Sequence, residues 1–195
     1  MKKRGRNPIR RQATEVLPKA PPSMHLVDTK QSEIRTCGEC SLCCKVFDDI
    51  GGIDKPKGGW CPHCSLKGGG CKIYADRPDT CRSFQCLWIQ ARGEEHALPD
   101  WMKPNKVRFV VNSPNGYDLV LHVDPSMPDA WRKPEIMYFF SKLAEKMHGF
   151  GVITVIGSGR YYQILPQGPV EVDGKQEANG LYTLQVMRHA PGARA

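Results

Sequence analysis

From Lys106 onward, apolar and polar positions fall into short segments whose period changes along the chain. Lys106-Val107-Arg108-Phe109-Val110-Val111 and Tyr117-Asp118-Leu119-Val120-Leu121-His122-Val123 are rich in β-branched and aromatic residues. The turn sequence Asn112-Ser113-Pro114-Asn115-Gly116 separates them, which predicts a β-hairpin. Ile136, Phe139, Phe140, Leu143 and Met147 then recur at intervals of three and four. This spacing predicts a helix from Glu135 to His148 with one apolar face, opened by Pro134 and closed by Gly149. Two more strands, Val152 to Ile156 and Tyr161 to Leu165, flank Gly157-Ser158-Gly159. That triplet reads as a hairpin turn and not a phosphate loop, because no third glycine follows and a strand comes next. The order is ββαββ, an α+β layer arrangement.

Upstream the pattern is different. Residues 1–20 hold seven Lys or Arg (Lys2, Lys3, Arg4, Arg6, Arg10, Arg11, Lys19) against Glu15. Of the net charge of +8, therefore, +6 sits there and +2 on everything else. With Pro8, Pro18, Pro21 and Pro22, this stretch has too little apolar surface to fold, so residues 1–30 are expected to be a disordered basic tail. A solvated terminus is the favoured reading of that tail, and nonspecific phosphate or nucleic-acid binding the less favoured one. Residues 31–93 form a cysteine-rich module, 94–186 the α+β unit with a Pro-rich connector at 94–104, and 187–195 a C-terminal tail. The longest apolar run, Ile136 to Phe140, has five residues, whereas a membrane helix needs about 20. No apolar export segment follows Met1. A soluble, cytoplasmic protein without a membrane partner is expected.

The chemistry lies in the module. All nine cysteines fall between positions 37 and 86: Cys37, Cys40, Cys43, Cys44, Cys61, Cys64, Cys71, Cys81 and Cys86. An odd number in a chain without an export signal argues against a disulfide framework and for metal ligation. The order Cys37-x2-Cys40-x20-Cys61-x2-Cys64 approaches the spacing of a four-ligand zinc ribbon. Five thiols remain beyond those four. Adjacent Cys43 and Cys44 cannot easily aim at one ion, so a second metal or a polynuclear cluster enters the reading. Cys61-Pro62-His63-Cys64 matches a thiol-oxidase tetrapeptide, but it lies among glycines, without the helix that would activate it. Asp76 as cap, Pro78 in the first turn and Gly93 as stop predict a helix through Cys81 and Cys86, which would then face different ways. Cys86 reads as a ligand or as a packed free thiol. His25, His96, His122, His148 and His189 are isolated in sequence, and the pairs Asp48-Asp49 and Glu94-Glu95 read as solvated carboxylates. No nucleophile has a partnered base.

Taken together, Cys37-x2-Cys40-x2-Cys43-Cys44, Trp60-Cys61-Pro62-His63-Cys64 and Cys71-Lys72-Ile73-Tyr74-Ala75-Asp76-Arg77-Pro78-Asp79-Thr80-Cys81-Arg82-Ser83-Phe84 resemble the CxxCxxCC cysteine-cluster family, also called the YkgJ family, a zinc- or iron-chelating domain. The resemblance covers about residues 35–90 and leaves out the ββαββ unit and the tail. It implies chelation of zinc or iron, or an iron–sulfur cluster, by Cys37, Cys40, Cys43, Cys44, Cys71 and Cys81. Cys61 or Cys64 is the next choice, and His63, Arg77 and Arg82 are nearby candidates. The motif is also similar to that of flagellin lysine N-methylases, which implies, as an alternative, an iron–sulfur enzyme using S-adenosylmethionine. A zinc-dependent nucleic-acid module using the tail is a third reading. The expected partner is a metal ion, with a protein partner left open.

Overall fold

The computed structural model describes residues 35–47, 52–56, 58–90, 97–147, 151–176 and 182–186. Both tails, Asp48-Asp49, Glu94-Glu95, Gly93, Gly149, His25, His96, His148 and His189 lie outside the described residues. Among those described, the helices are α1 (Cys43–Val46), α2 (Asp79–Ser83), α3 (Leu87–Gln90), α4 (Pro104–Val107) and α5 (Pro134–Lys146). The strands are β1 (Phe109–Asn112), β2 (Leu119–Val123), β3 (Ile153–Gly157), β4 (Arg160–Leu165), β5 (Gly168–Gln176) and β6 (Tyr182–Val186). They form one six-stranded sheet in sequence order. Neighbours are antiparallel except β2 and β3, which run parallel. A parallel pair cannot be closed by a tight turn, and α5 supplies the crossover.

The α+β class and the ββαββ order are present, and the sheet continues into two strands that the sequence pattern does not announce. In β5, Gly168, Pro169 and Gly174 dilute the apolar alternation. Gly174 has a packing reason: a Cβ there would lie 2.4 Å from the Tyr161 ring, so the aromatic side chain lies over the glycine. The expected first strand is also shortened. Pro104 occupies the first helical position, so Lys106 and Val107 belong to α4, and Arg108 ends it in the left-handed region with φ 66° before β1 begins. The turn Ser158-Gly159 is as expected. Both residues have positive φ (52° and 77°), which suits a two-residue hairpin.

Side chains alternate across the sheet, and both faces of its first strands are covered. Phe109 meets Phe140 of α5 edge-on, with ring centroids 6.0 Å apart. Leu121, opposite Val111 and beside Val155, shares that side. Val110, Asn112 and His122 point the other way, toward the cysteine segment, where the His122 ring lies 4.6 Å from Phe47. Every residue of β2 is consequently buried. One apolar core joins the layers, running from Leu42, Leu87 and Trp88 through the sheet to Phe140 and Leu143.

A charged joint fixes how the cysteine layer sits on the sheet. Asp124, just past β2, is fully buried. Its Oδ1 accepts from Lys45 Nζ of α1 at 2.6 Å and from Ser126 N and Oγ at 2.9 and 2.7 Å, and its Oδ2 accepts from Arg108 Nη2. Lys55 then reaches back to the carbonyls of Lys45 and Gly59, at 3.1 and 2.9 Å. At the far end, Arg35 donates to the carbonyls of Trp88 and Leu98 and pairs with Asp100 at 2.6 Å.

Burial pushes the Asp124 carboxyl up, but its hydrogen bonds from Lys45 and Ser126 and the Arg108 charge outweigh this and hold it below the usual carboxylate range. Its contribution is therefore complete above the unfolded pKa of about 3.9 and is lost as pH falls through the lower folded value. Asp124→Asn should cost about 3 kcal/mol in urea unfolding at pH 7. It should also flatten the acid limb of the wild-type stability profile.

Candidate metal centre

Short backbone links gather the cysteines. The amide of Cys40 donates to the carbonyl of Cys37 at 2.8 Å, closing the first turn, and α1 starts at Cys43 immediately after the buried anchor Leu42. Cys61 N donates to Cys44 O at 3.0 Å, which docks the second cysteine turn on α1. The chain turns at Cys61-Pro62-His63-Cys64, with Cys64 N on Cys61 O at 2.9 Å, and reverses through Gly68-Gly69-Gly70. Cys71 then lies antiparallel and opposite Cys64. The tetrapeptide leads into this reversal and not into a helix.

Gly69 is where the reversal meets the first turn. Its φ is +71°, and a Cβ there would stand 2.1 Å from the carbonyl oxygen of Glu39. The next amide, Gly70 N, donates to Ser41 Oγ at 2.6 Å. The two cysteine turns therefore interlock through bare backbone.

The expected single helix over Cys81 and Cys86 is corrected. Pro78, not Asp76, is the N-cap of α2, which ends at Ser83. Residues 84–86 are non-helical, and α3 starts at Leu87. The break removes the helical phase that would have sent the two thiols apart, and both line the same cavity.

That cavity has a volume of about 580 Å³. Eight of the nine cysteines line it: Cys37, Cys40, Cys43, Cys44, Cys61, Cys71, Cys81 and Cys86. Cys64 is buried behind them against Cys44. His63 and Arg77 reach the cavity, and Phe47, Phe84 and Ile89 form apolar wall. From the sheet come Val110 and Asn112, the latter held by His122 Nε2 at 2.9 Å from its Oδ1. Sequence reasoning missed these two, because only strand register shows which side of β1 faces the thiols. Arg77 stacks on Tyr74 at 3.6 Å and donates to its carbonyl, and Arg82 donates to the Arg77 carbonyl. Of the zinc-ribbon quartet, Cys37, Cys40 and Cys61 line the cavity, and Cys64 lies beside Cys44 and Cys61 behind its wall.

The thiols perturb one another. Cys43 donates to the sulfur of Cys44, which raises Cys43 well above the usual thiol range. The same bond lowers Cys44; burial opposes this, while Cys64 and the Lys55 charge reinforce it, and Cys44 settles at about 7. Burial pushes the Cys86 thiol up.

The donor set suits a thiophilic metal. Among the described residues no carboxylate lines the cavity, which disfavours magnesium and calcium and suits zinc, copper(I) or iron–sulfur chemistry. Size also matters. A sphere at the Zn–S distance of ~2.3 Å encloses about 50 Å³, far less than the cavity. Among the described residues no three His, Cys, Asp or Glu side chains converge on one ion. The thiols stand around the cavity and not about one point. No protein-family model, curated protein or solved structure matches the chain.

Gly69→Ala should destabilise the fold by about 2 kcal/mol or more, combining left-handed backbone strain with a backbone clash. Gly68→Ala, whose Cβ would meet only Ser65 Oγ at 3.9 Å, should be near neutral in the same thermal scan. In the metal-free chain, iodoacetamide should modify Cys44 first, with a midpoint near pH 7. Cys43→Ala should move that midpoint upward, read by peptide mapping across pH.

Proposed function

We propose that this chain is a cysteine-cluster metal-binding protein in which the thiols around the cavity hold an iron–sulfur centre. The observation that carries the reading is the gathering of eight cysteines, from four separate stretches of sequence, on the wall of one cavity. The CxxCxxCC resemblance points to six of them, Cys37, Cys40, Cys43, Cys44, Cys71 and Cys81, with Cys61 or Cys64 next. Zinc is the alternative metal, and eight thiols are twice the four ligands that a single zinc ion takes. The bound metal would supply either a rigid crosslink or an electron-accepting centre. Around it, this chain's own residues would exclude water through Phe47, Phe84 and Ile89 and present hydrogen bonds from Asn112 and Arg77.

An enzymatic reading has one observation in its favour. The apolar wall leaves room beside the thiols for a small organic substrate, as an iron–sulfur enzyme related to the flagellin lysine N-methylases would require. A stimulus to metal or visible absorption from added S-adenosylmethionine would support that version.

Protein purified without oxygen should carry iron and acid-labile sulfide and show broad visible absorption. Stoichiometric zinc in a colourless protein would replace iron by zinc in the reading. A chain that retains neither metal after reconstitution overturns it.

A further inference from the structure

The eight cavity thiols are not equivalent in their surroundings. Cys86 belongs to the hydrophobic core, and Cys40 and Cys43 pack against it. Cys61 and Cys64, although buried, stand outside that core, as do Cys44, Cys71, Cys81 and the exposed Cys37. Backbone links add Cys37 to the first group, through its turn with Cys40. Cys37 and Cys40 share one turn leading into α1, and Cys86 opens α3, its carbonyl accepting from Ile89 N at 2.9 Å. Cys61 is bonded to Cys44, and Cys71 is paired across from Cys64. The sulfurs follow this division, except that Cys37 neighbours Cys44 as well as Cys40. The principal thiol neighbours of Cys86 are Cys37 and Cys40, whereas those of Cys81 are Cys44, Cys61 and Cys71.

Cys43 and Cys44, adjacent in α1, adjoin both groups. Consecutive helical residues point about 100° apart, so each belongs to a different side. Cys43 packs on the core with Cys40, and Cys44 carries the bond to Cys61.

We infer that the protein holds two adjacent metal centres, an inner one on Cys37, Cys40, Cys43 and Cys86 and an outer one on Cys44, Cys61, Cys71 and Cys81. The inference rests on the metal-binding reading above and deepens it. Each set supplies four thiolates, the complement that [2Fe–2S] and [4Fe–4S] clusters take. The contact between the sulfurs of Cys43 and Cys44 makes the two centres neighbours sharing a wall. Cys64 is then a positioning residue and not a ligand. It stands beside Cys44 and Ser41.

The test uses the full chain, loaded with iron and sulfide without oxygen, as wild type, Cys37→Ser/Cys86→Ser, Cys61→Ser/Cys81→Ser and Cys64→Ser. Each double variant should keep about half of the wild-type iron, sulfide and visible absorption, and Cys64→Ser nearly all of it. The reduced wild type should show an electron paramagnetic resonance signal split by a neighbouring spin. Loss of all metal in either double variant that keeps the wild-type circular dichroism would mean one shared centre and overturn the inference. Full retention in either would do the same. Should a double variant fail to fold, an unsplit single signal in the reduced wild type overturns it independently. A wild type that holds no metal instead removes the metal-binding reading itself, so the two failures are distinguishable.

Discussion

The carboxylate of Asp124 has no access to water, and what its oxygens would gain from hydration is supplied instead by Lys45, Arg108 and Ser126. Removing an ion from water carries a penalty of several kcal/mol, so this arrangement is tolerable only when both cations arrive together. Arg108 comes from the junction of α4 and β1, and Lys45 from the helix carrying Cys43 and Cys44. Apolar burial is indifferent to orientation. The Leu42 and Trp88 contacts alone would let the cysteine layer slide over the sheet, and the directional bonds at Asp124 pin its register. Cavity geometry therefore depends on a residue that touches no thiol.

How much of this the chain reveals by pattern varies with the kind of constraint. Periodicity found α5, because Ile136, Phe139, Phe140 and Leu143 bury one face of a regular helix. It also found the β1–β2 and β3–β4 hairpins, whose turn residues have few conformational choices. It missed β5 and β6. In β5, a proline and two glycines interrupt the alternation, and the Tyr161–Gly174 contact that explains one of them is visible only across strands. The helix expected through Cys81 and Cys86 failed for the opposite reason. Local start signals were real but displaced to Pro78, and the chain breaks after Ser83 where no strong stop residue stands.

For the site, the cysteines were legible as candidates because all nine fall within fifty residues. Their grouping was not. Spacing suggested Cys37, Cys40, Cys61 and Cys64 as one quartet, whereas the glycine reversal at 68–70 brings Cys71 opposite Cys64 and onto the cavity wall, a pairing that spacing alone does not show. Asn112 and Val110 carry no signal at all in one dimension, since their role comes from the parity of β1.

The order of layers along the chain bears on how the protein is made. Every cysteine precedes the strands on which its layer rests: Cys86 is synthesised before Val110, and Asp124 follows both. At about 5–20 residues per second, the interval from Cys86 to Asp124 lasts roughly 2–8 s. During it, the thiols emerge with neither the apolar floor of β1 and β2 nor the carboxylate that holds α1 in place. The cell thus meets these cysteines first as an open ribbon, and the sheet arrives afterward as the floor that gathers them around one cavity.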